Sequence, residues 1–219
     1  KANYEIKHIV IDEAQDYNML QFIVLKELTG CRSYTVVGDA NQRLIKAEEV
    51  PAMLRLKDIF GGFFNLYELN KSYRSTYQIM EYANKFLNAN TVVPFVRKGE
   101  FDVLETTVPK DDIEDLIEVI VNLLEDYQEE KYENVAVITK DKEELNIISP
   151  ELKKRTNILA FNNSDIVYRG GKVLVPSYYA KGLEFDAVIM VDFDEKADNL
   201  IKYIMSTRAL HRLSVIKIR

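Results

Sequence analysis

Six short apolar runs, rich in β-branched residues, recur along the chain: IKHIVI (6–11), YTVVG (34–38), NVAVIT (134–139), KVLVP (172–176), DAVIMV (186–191) and LSVIKI (213–218). Strands that read as near-continuous apolar stretches are covered on both faces, which is the condition of a parallel sheet. Amphipathic stretches lie between them. Residues 112–125 place Ile113, Leu116, Ile117, Ile120, Leu123 and Leu124 on one helical face. Residues 76–88 do the same with Ile79, Tyr82, Ala83, Phe86 and Leu87, and Ser75 with Gln78 reads as an S-x-x-Q capping box. This alternation predicts an α/β fold: parallel sheets with flanking helices, and ligand sites in the loops after the carboxyl ends of strands.

Composition narrows the class. At 219 residues with 47% apolar content, the chain can fill one ordinary core or two small ones. No stretch approaches the ~18 consecutive apolar residues of a membrane span, and KANYEIKHIV has no secretory-signal pattern. Cys31, with only His8 and His211 for company, excludes a disulfide framework and a Cys/His metal cage. A soluble, cytoplasmic protein with no membrane partner is expected. The net charge of −6 argues against a strongly basic nucleic-acid clamp, but it is concentrated. Residues 111–130 hold nine acids and no base, so the remainder carries 29 bases against 26 acids. The acidic helical face is expected to point to solvent, and to suit a partner protein better than DNA.

Five strings carry candidate chemistry. Asp12-Glu13-Ala14-Gln15-Asp16 follows the first apolar run. Carboxylates there can hold a hydrated Mg²⁺ and orient an attacking water, or simply favour a helix start. Gly38-Asp39-Ala40-Asn41-Gln42 follows the second, where Gln42 can reach a phosphate oxygen or close a plain turn. In Leu69-Asn70-Lys71-Ser72-Tyr73-Arg74-Ser75-Thr76, Arg74 can meet a phosphate and Tyr73 can stack on a base, or both can be ordinary surface and core residues. Glu184, in Lys181-Gly182-Leu183-Glu184-Phe185-Asp186, can accept from a ribose hydroxyl or be merely solvated. Arg208, in 200–209, can stabilise phosphate charge or complement a helix C-terminus.

In this order the five strings resemble motifs II to VI of superfamily 1 helicases of the UvrD/Rep type, with DEAQD and KGLEFD the most specific. The resemblance implies two RecA-like (P-loop NTPase) domains closing over ATP and Mg²⁺ and acting on DNA, single-stranded or as duplex with a single-stranded tail. It implies that residues 1–66 are the C-terminal part of the first domain (1A) and 67–219 a complete second domain (2A). By the same carry-over, Asp12 and Glu13 hold Mg²⁺, and Glu13 also activates water. Gln42 senses the γ-phosphate, Tyr73 stacks on adenine, Glu184 binds ribose, and Arg74 and Arg208 contact the γ-phosphate.

The sequence departs from the family pattern in four places. It contains no G-x-x-x-x-G-K-[ST] phosphate loop, and only eleven residues precede Asp12. A fragment of a longer protein is expected, inactive as an ATPase alone, with sheet surface exposed where the phosphate-loop strand would pack. After Gln42, residues 43–49 hold no aromatic to stack on single-stranded bases. The Thr and His usual before KGLEFD are replaced by Pro176 and Tyr178, giving PSYYAKGLEFD, a variant similar to the HelD-like branch associated with bacterial RNA polymerase. Only 107 residues (181 − 74) separate Arg74 from Lys181, too few for a large 2B insertion. The resemblance therefore implies an ATP-driven DNA helicase or translocase, or alternatively an ATP-switched factor that remodels RNA polymerase.

Overall fold

The computed structural model describes residues 5–43, 50–61, 64–69, 71–87, 93–94, 97–161, 168–193 and 198–219. Two units are distinguished, Lys1–Leu69 and Asn70–Arg219.

In the first unit, strand β1 (Ile9–Ile11) pairs in parallel with β2 (Tyr34–Val36), joined by helix α1 (Met19–Thr29) and followed by a short helix α2 (Leu56–Phe60). The strands are shorter than the apolar runs that predict them. Helix α1 opens on a capping box: Asn18 Oδ1 accepts from Gln21 N–H at 2.9 Å, and Asn18 N–H donates to Gln21 Oε1 at 2.8 Å. It closes on Gly30, whose φ of 61° a residue with a side chain adopts only at a cost. Phe22 is fully buried among Ile11, Ala14, Ala52 and Leu56. Val10 of β1 and Leu20 and Leu28 of α1 are exposed.

The second unit has a six-stranded sheet in the order β5-β10-β9-β6-β8-β7, and every pairing is parallel. The short pair β3 (Lys71–Ser72) and β4 (Val93–Pro94) stands apart, with α3 (Tyr77–Asn84) between them in sequence. Next along the chain come β5 (Leu104–Val108), α4 (Ile113–Glu129), β6 (Asn134–Thr139), α5 (Lys142–Arg155) and β7 (Leu159–Ala160). They are followed by β8 (Gly171–Pro176), α6 (Ser177–Ala180), β9 (Phe185–Asp192), α7 (Asn199–Ser206) and β10 (Ala209–Ile218).

Both faces of this sheet are covered. Val135, Val137, Leu174, Ile189 and Ile216 pack under Leu116, Ile120, Leu124, Leu145 and Ile148 of α4 and α5. The alternate residues Ala136, Ile138, Val175, Val188 and Val215 pack under Ile79 and Tyr82 of α3, Ala180 of α6 and Met205 of α7. This is why NVAVIT and DAVIMV read as continuous apolar runs: neither set of alternate side chains meets water. Tyr127 of α4 is fully buried and donates to Ser214 Oγ at 2.6 Å, and burial pushes its phenol pKa up. At the carboxyl end of β9, Lys202 Nζ pairs with Asp192 Oδ2 at 2.9 Å, and Arg219 Nη2 reaches the same oxygen at 3.0 Å. Lys202 and Asp192 are both buried, which ties α7 to the end of the sheet.

Two sequence readings are corrected. Helix α4 runs on to Glu129 beneath its Asp112 cap, and Ile113, expected on the buried face, is exposed in the first turn. The Ser75/Gln78 capping box does not form. Thr76 is the N-cap residue of α3, and Ser75 Oγ donates instead to Ala209 O at 2.7 Å. Gln78 bonds both backbone groups of Gly99, at 3.0 and 2.8 Å. These longer-range partners serve tertiary contacts that a local capping pattern does not encode. Among the described residues no helix is long and apolar enough to cross a membrane.

Candidate functional site

In the first unit, the parallel pairing of β1 with β2 brings DEAQD and GDANQ side by side at the carboxyl ends of the two strands. Val37 N–H bonds Ile11 O at 2.8 Å and Ala14 N–H bonds Val37 O at 3.0 Å, so the chain leaving β1 is pinned on both sides of Asp12 and Glu13. Between these pins Glu13 adopts φ 51°, ψ 37°. A left-handed conformation at a residue with a Cβ costs roughly 1–2 kcal/mol, and such strain clusters at functional positions. The Glu13 and Asp12 carboxylates are both exposed. Asp12 Oδ1 accepts from Glu13 N–H at 2.8 Å, and Glu13 Oε2 accepts from Gln15 Nε2 at 2.6 Å.

Gln15 is buried and its other amide atom, Oε1, accepts from Asp39 N–H at 3.0 Å. Asp39 then caps the turn Ala40–Gln42: its Oδ1 accepts from Asn41 N–H at 2.9 Å and its Oδ2 from Gln42 Nε2 at 3.0 Å. Glu13 and Gln42, read from separate strings, thus belong to one hydrogen-bonded chain. Residues 44–49, the place of the missing stacking aromatic, lie outside the described residues.

Gly38 lets the two strings approach. A Cβ there would lie 2.6 Å from Gln15 Oε1, 2.8 Å from Met53 Sδ and 3.1 Å from Ala14 N. Gly38→Ala is accordingly expected to destabilise the first unit by about 2 kcal/mol, since two neighbours must move and one is tied at both ends. Urea unfolding followed through this unit checks the value, and a change below about 0.5 kcal/mol would contradict the close packing.

In the second unit, three further strings meet at the amino ends of two neighbouring strands, β9 and β10. Phe185 and Ala209 are partners in register, so Glu184 and Arg208 sit next to one another at the amino ends of β9 and β10. Arg74 Nε pairs with Glu184 Oε1 at 2.8 Å, and Ser75 anchors that segment to Ala209. Arg208 is buried, donating Nε to Ile204 O at 3.1 Å, Nη1 to Leu183 O at 3.4 Å and Nη2 to Thr207 Oγ1 at 3.3 Å. Tyr73 is 68% exposed. Asp12, Glu13 and Gln42 lie after the carboxyl ends of β1 and β2, but Glu184 and Arg208 do not follow the carboxyl ends of their strands. The second-unit cluster lies at the amino ends, because Glu184 and Arg208 are the residues entering β9 and β10.

The sequence strings assign Arg74 and Glu184 to separate ligand groups, whereas the structure pairs them with each other. Both side chains are partly exposed, so the pair contributes no more than about 1 kcal/mol and exchanges partners readily. Asp186 also has a role that its sequence string did not reveal. It accepts from Glu133 N–H, Asn134 N–H and Asn134 Nδ2 at 3.1, 2.8 and 3.2 Å, fixing the amino end of β6 against β9.

Asp12 and Glu13 suit Mg²⁺ in kind. Their oxygens are hard donors, and Mg²⁺ takes one or two carboxylates and completes its shell with phosphate and water. No group of three or more His, Cys, Asp or Glu able to cage a metal occurs among the described residues.

Residues 1–45 match the UvrD/REP helicase N-terminal domain, and residues 67–168 match the UvrD-like helicase C-terminal domain. In both stretches the chain is similar to UvrD/Rep helicases. A probable DNA helicase II homolog of Mycoplasma capricolum subsp. capricolum is 34% identical over 86 residues, 38% of this chain and 12% of that protein. The ATP-dependent DNA helicase srs2 of Schizosaccharomyces pombe is 33% identical over 97 residues, 43% of this chain and 11% of that protein. The matched segment is thus a small part of these relatives' length. Among solved structures, the C-terminal domain of a possible DNA helicase from Lactobacillus plantarum WCFS1 covers 67% of this chain and 88% of its own, with 26% identity and a TM-score of 0.55. The PRRSV helicase, at 16% identity and a TM-score of 0.50, covers 96% of this chain and 35% of its own, and shares the fold. The six-stranded parallel sheet, with helices on both faces, is RecA-like.

Proposed function

We propose that this chain is part of a DNA helicase or translocase that couples Mg²⁺-ATP hydrolysis between two RecA-like domains to movement on DNA. The observation that carries the reading is the meeting of Arg74, Glu184 and Arg208 at the amino ends of β9 and β10, with Arg74 drawn from 110 positions (184 − 74) before Glu184. Two guanidinium groups there suit an anionic transition state, and the neighbouring exposed ring of Tyr73 suits a base. Asp12 and Glu13 would hold Mg²⁺, which when bound neutralises phosphate charge. Glu13 would take the proton of the attacking water. Gln42, bonded to Asp39, would report the γ-phosphate. Glu184 would turn from Arg74 to ribose as the arginine turns to phosphate. The boundary between the two domains is proposed near residue 66, without a large 2B insertion, and the protein is proposed to be cytoplasmic.

A second reading has one feature in its favour. Pro176 and Tyr178 stand where the family usually has Thr and His, and Tyr178 is exposed on α6. This favours a HelD-like factor that binds RNA polymerase and uses ATP as a switch. The full-length protein assayed for ATP turnover with and without single-stranded DNA, beside a pull-down with bacterial RNA polymerase, separates the two. DNA-stimulated turnover with processive unwinding supports the motor. Polymerase capture without unwinding supports the switch. The 219-residue chain alone is expected to hydrolyse no ATP, because it contains no phosphate loop. Turnover by the purified chain that is lost on Glu13→Gln would overturn that expectation.

A further inference from the structure

We infer that Arg97 is a positioning residue for Arg208: its guanidinium locks a bulge in β10, while its backbone holds the start of α3. The inference rests on the proposed ATP hydrolysis and gives a role to a residue outside the five strings. The register of β10 against β9 carries it. Ala209 pairs with Phe185 and Arg212 with Ala187, so Leu210 and His211 face the single residue Asp186 across the ladder. Such a bulge bends its strand and re-aims the side chains beside it. It also parts the Ala209–Phe185 pair from the regular ladder beyond Arg212, and Arg208 enters the strand at that parted pair.

Arg97 supplies the hold that the ladder lacks there. Its Nη2 donates to Leu210 O at 2.6 Å and to His211 Nδ1 at 2.7 Å, one acceptor from each bulge residue. A guanidinium only donates, so Nδ1 is the acceptor and the imidazole is neutral. Burial, with the Arg97 charge next, lowers the His211 pKa and favours that neutral form, while Asp186 acts in the opposite sense. The imidazole also lies nearly parallel to the Tyr132 ring, 6.3 Å away at 15°. The same residue reaches the segment that carries Arg74. Arg97 O accepts from Tyr77 N–H at 2.8 Å, and Gly99, two residues on, is bonded at both backbone groups by Gln78. A Cβ at Gly99 would lie 3.0 Å from Thr76 Cβ and Cγ2, so residues 97–99 pass close over the start of the helix. Arg97 thus ties together the two segments that present arginines, 74–77 and 208–211.

Two variants separate positioning from structural support. Arg97→Met keeps the stem and removes both donated bonds, and because Arg97 is exposed the core is left intact. His211→Phe keeps a ring against Tyr132 and removes one acceptor. Hydrogen exchange at the Phe185 amide, which donates to Arg208 O at 3.0 Å, is read in the nucleotide-free protein, and ATP turnover in the full-length protein. Arg97→Met is expected to speed Phe185 exchange about tenfold and to lower kcat about tenfold, with the KM for ATP within about twofold. His211→Phe is expected to lower kcat about threefold. Added to Arg208→Ala, Arg97→Met should cost less than about twofold further, since its effect passes through Arg208. A further loss of about tenfold in that background would mark a general structural role and overturn the inference. Arg97→Met with kcat and Phe185 exchange within about twofold of wild type, beside an Arg208→Ala enzyme reduced about a thousandfold, would also overturn it and leave the hydrolysis reading standing. Full turnover in Arg208→Ala would overturn both.

Discussion

Arg208→Ala is expected to lower ATP turnover by the full-length protein about a thousandfold, the scale on which an arginine facing a transferred phosphoryl group acts. It is also expected to cost about 2 kcal/mol of stability, because the Ile204 and Leu183 carbonyls lose a charged donor. Arg208→Lys should rescue neither effect. The planar guanidinium meets acceptors on Ile204, Leu183 and Thr207 at once, which an ammonium cannot. Arg74→Ala provides the contrast: its Glu184 pair is partly exposed, so turnover should fall about a hundredfold while stability changes by less than about 1 kcal/mol. Steady-state ATPase rates and urea midpoints on the same preparations check both. An Arg208→Ala protein turning over within about tenfold of wild type would remove this residue from the proposed chemistry.

The second large effect is on stability. Asp192→Ala removes the carboxylate that holds Lys202 and Arg219, and leaves the Lys202 ammonium buried without it. Loss of one partner from a buried ion pair costs about 3–5 kcal/mol. Lys202→Met should cost less, because Arg219 still reaches Asp192 at 3.0 Å. The double variant should recover much of the loss, which a double-mutant cycle in urea would read as a coupling above about 1 kcal/mol. Additive losses would show that the two residues act independently. The consequence reaches the candidate site, because α7, anchored by Lys202, carries the Ile204 carbonyl that Arg208 meets.

The central strands were readable in the sequence because both faces of the sheet are covered. NVAVIT forms β6 with the expected bounds, and β8, β9 and β10 contain their apolar runs. Strand β5, LETTV, was not readable. As an edge strand it is half exposed, and Glu105 pairs with Lys217 rather than packing in the core. Helix α5 was obscured by Pro150, which interrupts the helical text KEELNIISPELKKR yet sits inside the formed helix. Tertiary packing of Leu145, Ile148 and Leu152 compensates for the missing donor. Helix α1 lacks a one-sided stripe, since Leu20, Ile23, Val24 and Leu28 are exposed while Phe22 is buried. Its Asn18–Gln21 box and Gly30 were the usable signals.

For the site, residue types and strings were legible, but mutual placement was not. The parallel register of β9 with β10 puts Glu184 beside Arg208 at the amino ends of their strands, and nothing in KGLEFD alone states that. The Arg74–Glu184 pair and the Gln15 bridge arise in the same way, from side chains brought together only by the fold.

The proposed function is that of an ATP-driven motor on DNA. ATP hydrolysis by the full-length protein, measured with and without single-stranded DNA for wild type and Glu13→Gln, tests it most directly. Turnover stimulated by DNA and reduced about a thousandfold by Glu13→Gln is the predicted result. Turnover indifferent to both DNA and Glu13→Gln would contradict it.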